Sequence, residues 1–382
     1  MEILKKILKG VAVIITGVIL FFVGLFIGYL IAEGTAVITG LYGAMGVLLL
    51  IVGVMLSLFL TVIVHESGHL VFGLIAGYRF SSFRIGSLLI SRSNGKLKLS
   101  AYKIPGFAGQ CLMTPPEREV SKVSDVLCHL GGVIMNFAFA GLLLLVYAII
   151  PYTALLCELI VFTAIYSLLL ALLNGIPMHT SVPNDGMNTY YIITDKASAI
   201  TLRNQLLIHS EQTAGKHLSE MPSEWFTVPA DAKAANALNT AIRVAATSRT
   251  MESMDFALTA KEINELLASD AKMALLHSNL LTCDLIYCRL VTDGSRAEIS
   301  SLLTVNQQRF MSSAKSMLTV LRTEYAIALI RDKNAEKAEN IKQKFEKAAK
   351  NYPYKTDANQ ERLYMSHALA LSQSLASEVP ND

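Results

Sequence analysis

The chain has 382 residues, of which 53% are hydrophobic and only 16% are charged. The charges concentrate in the second half, so the first half is more apolar than a soluble domain, which predicts a membrane domain followed by a soluble one. A net charge of +3, with no basic stripe interleaved with aromatic residues, excludes nucleic acid as the expected partner. The five cysteines form no CxxC pair, so we expect free thiols.

Four apolar segments predict about four transmembrane helices. Residues 11–32 follow a basic start and are long enough to form an uncleaved first span. The second span begins in the early forties, where glycines are frequent, and ends near Gly77. The third covers about 126–150, and the fourth ends near Leu173.

The distribution of lysine and arginine predicts the orientation of these spans. Basic residues precede the first span and follow the second, which places both ends on the cytoplasmic side of the membrane. Spans three and four then return the chain to that side, so we expect a multi-pass protein with a cytoplasmic C-terminal half. The basic N-terminus without a transit-like segment favours a bacterial plasma membrane.

A β-rich segment separates the second and third spans. Residues 82–91 are rich in β-forming side chains, Ser93-Asn94-Gly95-Lys96 is a turn signal, and residues 97–102 alternate with period 2. This pattern predicts a small membrane-associated β-hairpin, followed by a segment containing proline and glycine. The predicted fold is therefore an all-α membrane domain with this one hairpin, followed by an α-helical soluble domain.

The second half of the chain has the periodicity of soluble helices. Apolar residues recur at helical spacing in 256–267, 272–290 and 311–330. We place the domain boundary between a membrane domain at 1–196 and a helical domain at 197–382. Two interpretations of the helical domain stay open, a tetratricopeptide-like solenoid and an irregular helical domain. In either case it is expected to bind a protein partner.

The sequence His65-Glu66-Ser67-Gly68-His69 follows a long uncharged segment and matches H-E-x-x-H. On a helix, residues i and i+4 share a face, so both imidazoles can reach one zinc ion. Glu66, which is not a ligand in this pattern, can act as the general base toward a metal-activated water. Ionisable groups are costly at membrane depth, which favours a metal site over a structural role.

A catalytic zinc site commonly has three protein ligands and one open position. The candidates for the third ligand near the apolar spans are Asp185, His179, His129 and Asp125. Asp185 precedes Gly186 at the start of a helix-like stretch, where a turn can aim its carboxylate inward. Glu158, in the fourth span, is the candidate if the protein belongs to a membrane metalloprotease class that uses a downstream glutamate.

Taken together, these motifs resemble those of the site-2 protease family of intramembrane metalloproteases. That family pairs H-E-x-x-H with a later N-x-x-P…D-G motif, to which Asn174-Gly175-Ile176-Pro177 and Asp185-Gly186 correspond. Residues 130–136 are similar to the family's G-P-x-x-N motif, with Val133 where proline is usual. The resemblance covers about residues 40–195.

The resemblance implies roles for several residues. Asp185 would be the third zinc ligand, Asn136 would be a polar group near the active site, and the hairpin would guide an extended substrate strand. The segment from Asn174 to Asp185 is longer than in typical members, which leaves His179 open as a ligand. No PDZ insertion is recognisable, so the C-terminal half is expected to select the substrate.

The predicted function is hydrolysis of peptide bonds in membrane-embedded or membrane-associated proteins, within the lipid bilayer or at its surface. Zn²⁺ would be held by His65, His69 and Asp185, and Glu66 would be the general base. Asn136 would bond the developing oxyanion or hold the substrate backbone, unless it only bonds a neighbouring helix. The alternative is a membrane-anchored helical scaffold, in which the cytoplasmic half binds peptides or has a regulatory role and the zinc site is not catalytic. An intact Glu66 argues against it, because a scaffold does not need that carboxylate.

Overall fold

The computed structural model describes residues 2–93, 95–102, 108–117, 122–151, 154–178, 182–230, 232, 236–292, 296–350 and 352–377. For residues 2–31, 33–35, 41, 93, 154 and 296 it describes the backbone alone. The described chain is mostly helical and contains one small sheet. Its helices are α1 (Glu2–Ile75), α2 (Lys122–Ile149), α3 (Ala154–Gly175), α4 (Asp185–Thr194), α5 (Lys196–Ala214), α6 (Ala237–Glu252), α7 (Phe256–Ala268), α8 (Leu275–Val291), α9 (Arg296–Leu302), α10 (Val305–Ser313), α11 (Leu318–Ala326), α12 (Ala335–Lys350) and α13 (Lys355–Ser377).

Helix α1 is interrupted at Gly43, whose backbone angles are φ 56° and ψ −137°. Only glycine adopts such angles without steric cost, so this residue separates two helical segments. The second segment begins where the sequence predicted the start of the second span. For residues 11–31 of the predicted first span, which was placed at 11–32, only the backbone is described.

Three described helices are long and apolar enough to cross a membrane: Tyr42–Ile75, Lys122–Ile149 and Leu155–Gly175. They confirm the second, third and fourth predicted spans, and the protein is a membrane protein. Met1–Gly68 and Gly132–Asn174 form one compact unit. Within it, the hydroxyls of Ser57 and Thr163 lie 2.8 Å apart, so each finds a hydrogen-bond partner in an apolar setting.

The segment between the second and third spans is a four-stranded antiparallel sheet, not the single hairpin that the sequence predicted. The predicted hairpin corresponds to β2 and β3. The strands are β1 (Arg79–Ile85), β2 (Leu88–Ser93), β3 (Lys96–Ala101) and β4 (Gly109–Thr114), in the spatial order β3-β2-β1-β4.

Two features explain the difference. Gly86, at φ +58°, turns the chain inside the predicted 82–91 segment and divides it into β1 and β2. Strand β4 lies in the segment that contains proline and glycine, and it is held by pairing with β1 rather than by an alternating pattern of its own. Strands β3 and β4 are therefore the two edges of the sheet.

The other compact unit comprises His69–Gly131 and Gly175–Asp382. It contains the sheet and all helices from α4 onward, which confirms a helical region after the membrane spans. Helix α5 contacts β4 through the hydroxyls of Ser210 and Thr114. The boundary at 196/197 and the tetratricopeptide-like arrangement stay predictions.

A buried arginine organises the core of the helical region. Arg322, on α11, is 1% exposed and pairs with Asp284 on α8 and with Glu361 on α13, whose Oε2 lies 2.9 Å from its Nε. Its guanidinium also lies 4.5 Å from the ring centre of Tyr287. Two carboxylates and an aromatic face offset the cost of burying this charge and tie three helices together.

Candidate metal centre

The H-E-x-x-H motif lies on α1, within the apolar window Tyr42–Ile75. The helix is regular here, so His65 and His69 are one turn apart on the same face. His65 and Glu66 are 6% and 8% exposed, which places an imidazole and a carboxylate in a nearly water-free setting. Such groups need specific partners, and the structure provides them.

The ring of His69 is held in one orientation by the backbone of α2. Its Nδ1 lies 3.0 Å from the carbonyl oxygen of Cys128. Because a carbonyl only accepts hydrogen bonds, Nδ1 carries the proton and Nε2 keeps its lone pair. Nε2 lies 3.4 Å from Oδ2 of Asp185. In metal sites, a histidine that binds the metal through one ring nitrogen usually donates a hydrogen bond from the other, often to a backbone carbonyl. His69 has this arrangement, with no proton on Nε2.

Asp185 is placed by the start of α4. Asn184 caps this helix: its side-chain oxygen accepts from the backbone nitrogen of Met187 at 3.0 Å, and its amide nitrogen donates to the carbonyl of Ile176 at 2.7 Å. Gly186 packs so closely that a Cβ there would overlap the carbonyl oxygen of Gly175. The Asn184 cap and the close packing of Gly186 fix the start of α4 against residues 175 and 176. Asp185, the first residue of α4, is therefore fixed in position by these contacts.

His65, His69 and Asp185 each offer a ligand atom, and these atoms lie within 4.8 Å of one another. The set comprises two imidazole nitrogens and one carboxylate oxygen, the donor set of a catalytic zinc site with one position left for water or substrate. The side chains of His69 and Asp185 are 13% and 17% exposed, which leaves a path for a ligand. The group is consistent with a metal site.

Asn136, on α2, is fully buried and lies against His65, with its Nδ2 3.3 Å from the ring Nδ1. Its backbone oxygen accepts a hydrogen bond from Ser167 at 2.9 Å, whereas its Oδ1 has no hydrogen-bond partner in the described chain. Rotating the amide by 180° exchanges the two atoms and lets Oδ1 accept from an Nδ1–H of His65. In that orientation Oδ1 of Asn136 has a hydrogen-bond partner. The proton of His65 is then on Nδ1, so Nε2 carries the lone pair that a metal ion would bind.

The sequence model of peptidase family M50 matches residues 53–321, well over half of the chain. The chain belongs to peptidase family M50. This is the site-2 protease family, whose members are metalloendopeptidases, so the protein is a membrane metalloprotease that acts on proteins. Searches of curated proteins and of solved structures give no match.

The M50 match extends further along the chain than the motifs do. The motif resemblance covers about residues 40–195, whereas the match ends at residue 321, within α11. The first helices after the membrane spans therefore belong to the matched region.

Three of the other ligand candidates do not join the group in this M50 protein. Among the described residues, Asp125, His129 and Glu158 are outside the metal-compatible cluster. Asp125 instead accepts a hydrogen bond from the hydroxyl of Tyr78 at 2.9 Å. His179 lies outside the described residues.

Three supporting groups were not predicted from the sequence. Asn184 directly precedes Asp185, and an asparagine before a helical stretch is a detectable cap signal. The hydroxyl of Ser167 and the carbonyl of Cys128 give no such signal, because their roles depend on which helices meet in three dimensions.

Proposed function

We propose that this M50 protein is a zinc-dependent intramembrane endopeptidase whose zinc is held by His65, His69 and Asp185. The observation that carries the proposal is the fixed ring of His69, with Nδ1 donating to the Cys128 carbonyl and Nε2 directed at Asp185. With its Nδ1 proton donated to Cys128, neutral His69 presents a lone pair to the Asp185 carboxylate, and two such electron-rich groups face each other stably only when a cation lies between them.

In the proposed reaction, the zinc ion activates the water and the peptide carbonyl, and Glu66 transfers the proton. When bound, a zinc ion in such a site polarises a peptide carbonyl and makes water acidic near neutral pH. Glu66 is the proton carrier: its carboxylate takes the proton from the attacking water and later gives it to the leaving amine. Burial of Glu66 keeps this exchange away from bulk solvent.

Asn136 serves this site by holding the His65 ring, and its contact with Nδ1 is the support for that role. We expect Asn136→Leu, which removes the amide that contacts Nδ1 of His65, to weaken zinc binding by about 10- to 100-fold, the usual effect of losing a partner of a metal ligand. Asn136→Asp keeps an acceptor and retains most of the affinity. Zinc competition against a chelator in detergent measures both.

The same pair of variants tests the oxyanion role of Asn136. If both variants bind zinc as the wild type does and only the rate of cleavage falls, then Asn136 acts on the substrate rather than on His65. Ser167→Ala is a suitable control, since it removes only the hydrogen bond to the Asn136 backbone.

We place substrate binding at an edge of the sheet. A membrane helix hides its own carbonyl groups, so the substrate unwinds and its extended segment adds to an edge strand. The edge strand β3 belongs to the hairpin for which this role was predicted, but we favour β4, at the opposite edge. Strand β4 carries Met113, and a Cβ on Gly73 would lie 3.0 Å from the Met113 Cε. Gly73 is one turn beyond His69 on α1, so this edge leads toward the metal ligands.

The proposed setting is a plasma membrane with the helical region in the cytoplasm. Its support is the charge distribution: lysines precede residue 11, and the sheet segment is basic. The helical region contacts the sheet through α5, so a protein partner bound there is connected to the proposed substrate edge.

Metal removal tests the proposed function. The purified protein is reconstituted in vesicles with tagged single-span proteins, stripped with a chelator, and then given zinc or magnesium. We expect chelation to reduce cleavage to background and zinc to restore it, while magnesium does not, because two imidazole ligands suit zinc and not magnesium. Full activity of the stripped protein would refute a zinc mechanism.

A further inference from the structure

A groove of about 710 Å³ lies along α4 and the start of α5, beside the first residue of α2. It shares no residue with the metal-compatible group. Residues from all three helices line it, among them Lys122, Ile192, Ile193, Lys196, Ile200 and Arg203.

The charges that line this groove are mainly positive. Lys122, Lys196 and Arg203 supply three cations, against Asp195 alone. The carboxylate of Asp195 is already engaged: its Oδ1 and Oδ2 accept from the backbone nitrogen and the hydroxyl of Ser198, at 3.3 and 2.7 Å. The groove therefore favours an anion.

The ammonium group of Lys122 is held in the groove by a hydrogen bond. Lys122 Nζ donates to the carbonyl of Ile193 at 3.0 Å, in the last turn of α4. This contact uses one of its three N–H groups and leaves two for a ligand.

The groove lies at the end of a membrane span. Lys122 is the first residue of α2, which is long and apolar enough to cross the bilayer. On α4, Tyr190 and Ile193 are 47% and 49% exposed, a combination of aromatic and aliphatic side chains that suits the membrane–water interface. Ile192 and Ile200 add an apolar wall to the groove itself.

We propose that this groove binds the headgroup of an anionic phospholipid. Lys122 and Lys196 hold the phosphate, and the first methylene groups of the acyl chains lie against Ile193 and Ile200. Basic pockets beside membrane helices suit such lipids, because the phosphate meets the cations while the chains stay in the apolar layer. The proposal does not depend on zinc or on cleavage, since none of these residues belongs to the proposed catalytic set.

Native mass spectrometry of the full-length protein tests the proposal. The protein is purified in a neutral detergent and given equal amounts of phosphatidylglycerol and phosphatidylcholine with the same acyl chains. We expect the wild type to retain phosphatidylglycerol preferentially. The double variant K122Q/K196Q should lose about 30-fold of that preference, since each cation near a membrane surface contributes about fivefold.

The control variant is K261Q/K342Q, which changes the net charge equally. Its two lysines are exposed, on α7 and α12, and make only weak pairs with neighbouring glutamates. Preference retained in this control and lost in K122Q/K196Q supports the site. Equal retention of the two lipids by the wild type, or equal loss in both double variants, overturns it. Displacement of the lipid by an equal concentration of glycerol phosphate also overturns it, because a free phosphate would then suffice.

Discussion

Replacing Glu66 with glutamine should abolish peptide cleavage while zinc stays bound. Glutamine has the same shape as glutamate but cannot accept a proton at neutral pH, and Glu66 is outside the group of ligand atoms formed by His65, His69 and Asp185. Losing a general base costs about 10² to 10⁴ in rate. The measurement is cleavage of a membrane substrate in vesicles, together with the zinc content of the same preparation.

Glu158→Gln is the matched control. It makes the same chemical change at a carboxylate in another membrane helix, α3, and Glu158 is not part of the metal-compatible group. We expect this variant to cleave at the wild-type rate with its zinc unchanged. A Glu66→Gln variant that cuts at the wild-type rate would refute the proposed proton transfer, and one that loses zinc would show that Glu66 is needed for metal binding.

The helix that carries H-E-x-x-H is the part that sequence predicts best. H-E-x-x-H fixes two histidines on one face by helical geometry alone, and the surrounding apolar run fixes the helix as a span. The break at Gly43 follows equally from local chemistry, since only glycine takes that conformation easily. In both cases, a few neighbouring residues determine the local structure, so the sequence alone predicts it.

The sheet shows where such local patterns fail. Strand β4, with the sequence Gly109-Gln110-Cys111-Leu112-Met113-Thr114, has no alternation of polar and apolar side chains. It is a strand because β1 offers it hydrogen-bonding partners from a segment about 30 residues earlier in the chain. Pairing of that kind depends on the tertiary fold, and the same is true of the contact between Asn136 and His65, whose residues are 71 positions apart.

Loss of the third ligand is the other large effect that we expect. Asp185→Ala should reduce the zinc content of the purified protein from about one ion per chain to almost none, because two histidines alone leave the ion short of the three protein ligands of a catalytic site. The rest of the site stays in place, since the Cys128 carbonyl orients His69 and the Asn184 side chain caps α4 independently of the Asp185 carboxylate.

His179→Ala is the comparison that makes this result decisive, because the sequence leaves His179 within reach of the same site. We expect it to keep its zinc, since the Asp185 carboxylate already lies 3.4 Å from Nε2 of His69. Retention by His179→Ala and loss by Asp185→Ala would establish the ligand set. The reverse result would make His179 the third ligand and leave Asp185 as the group that orients His69. Equal retention in both variants would mean that neither residue is required to hold the metal.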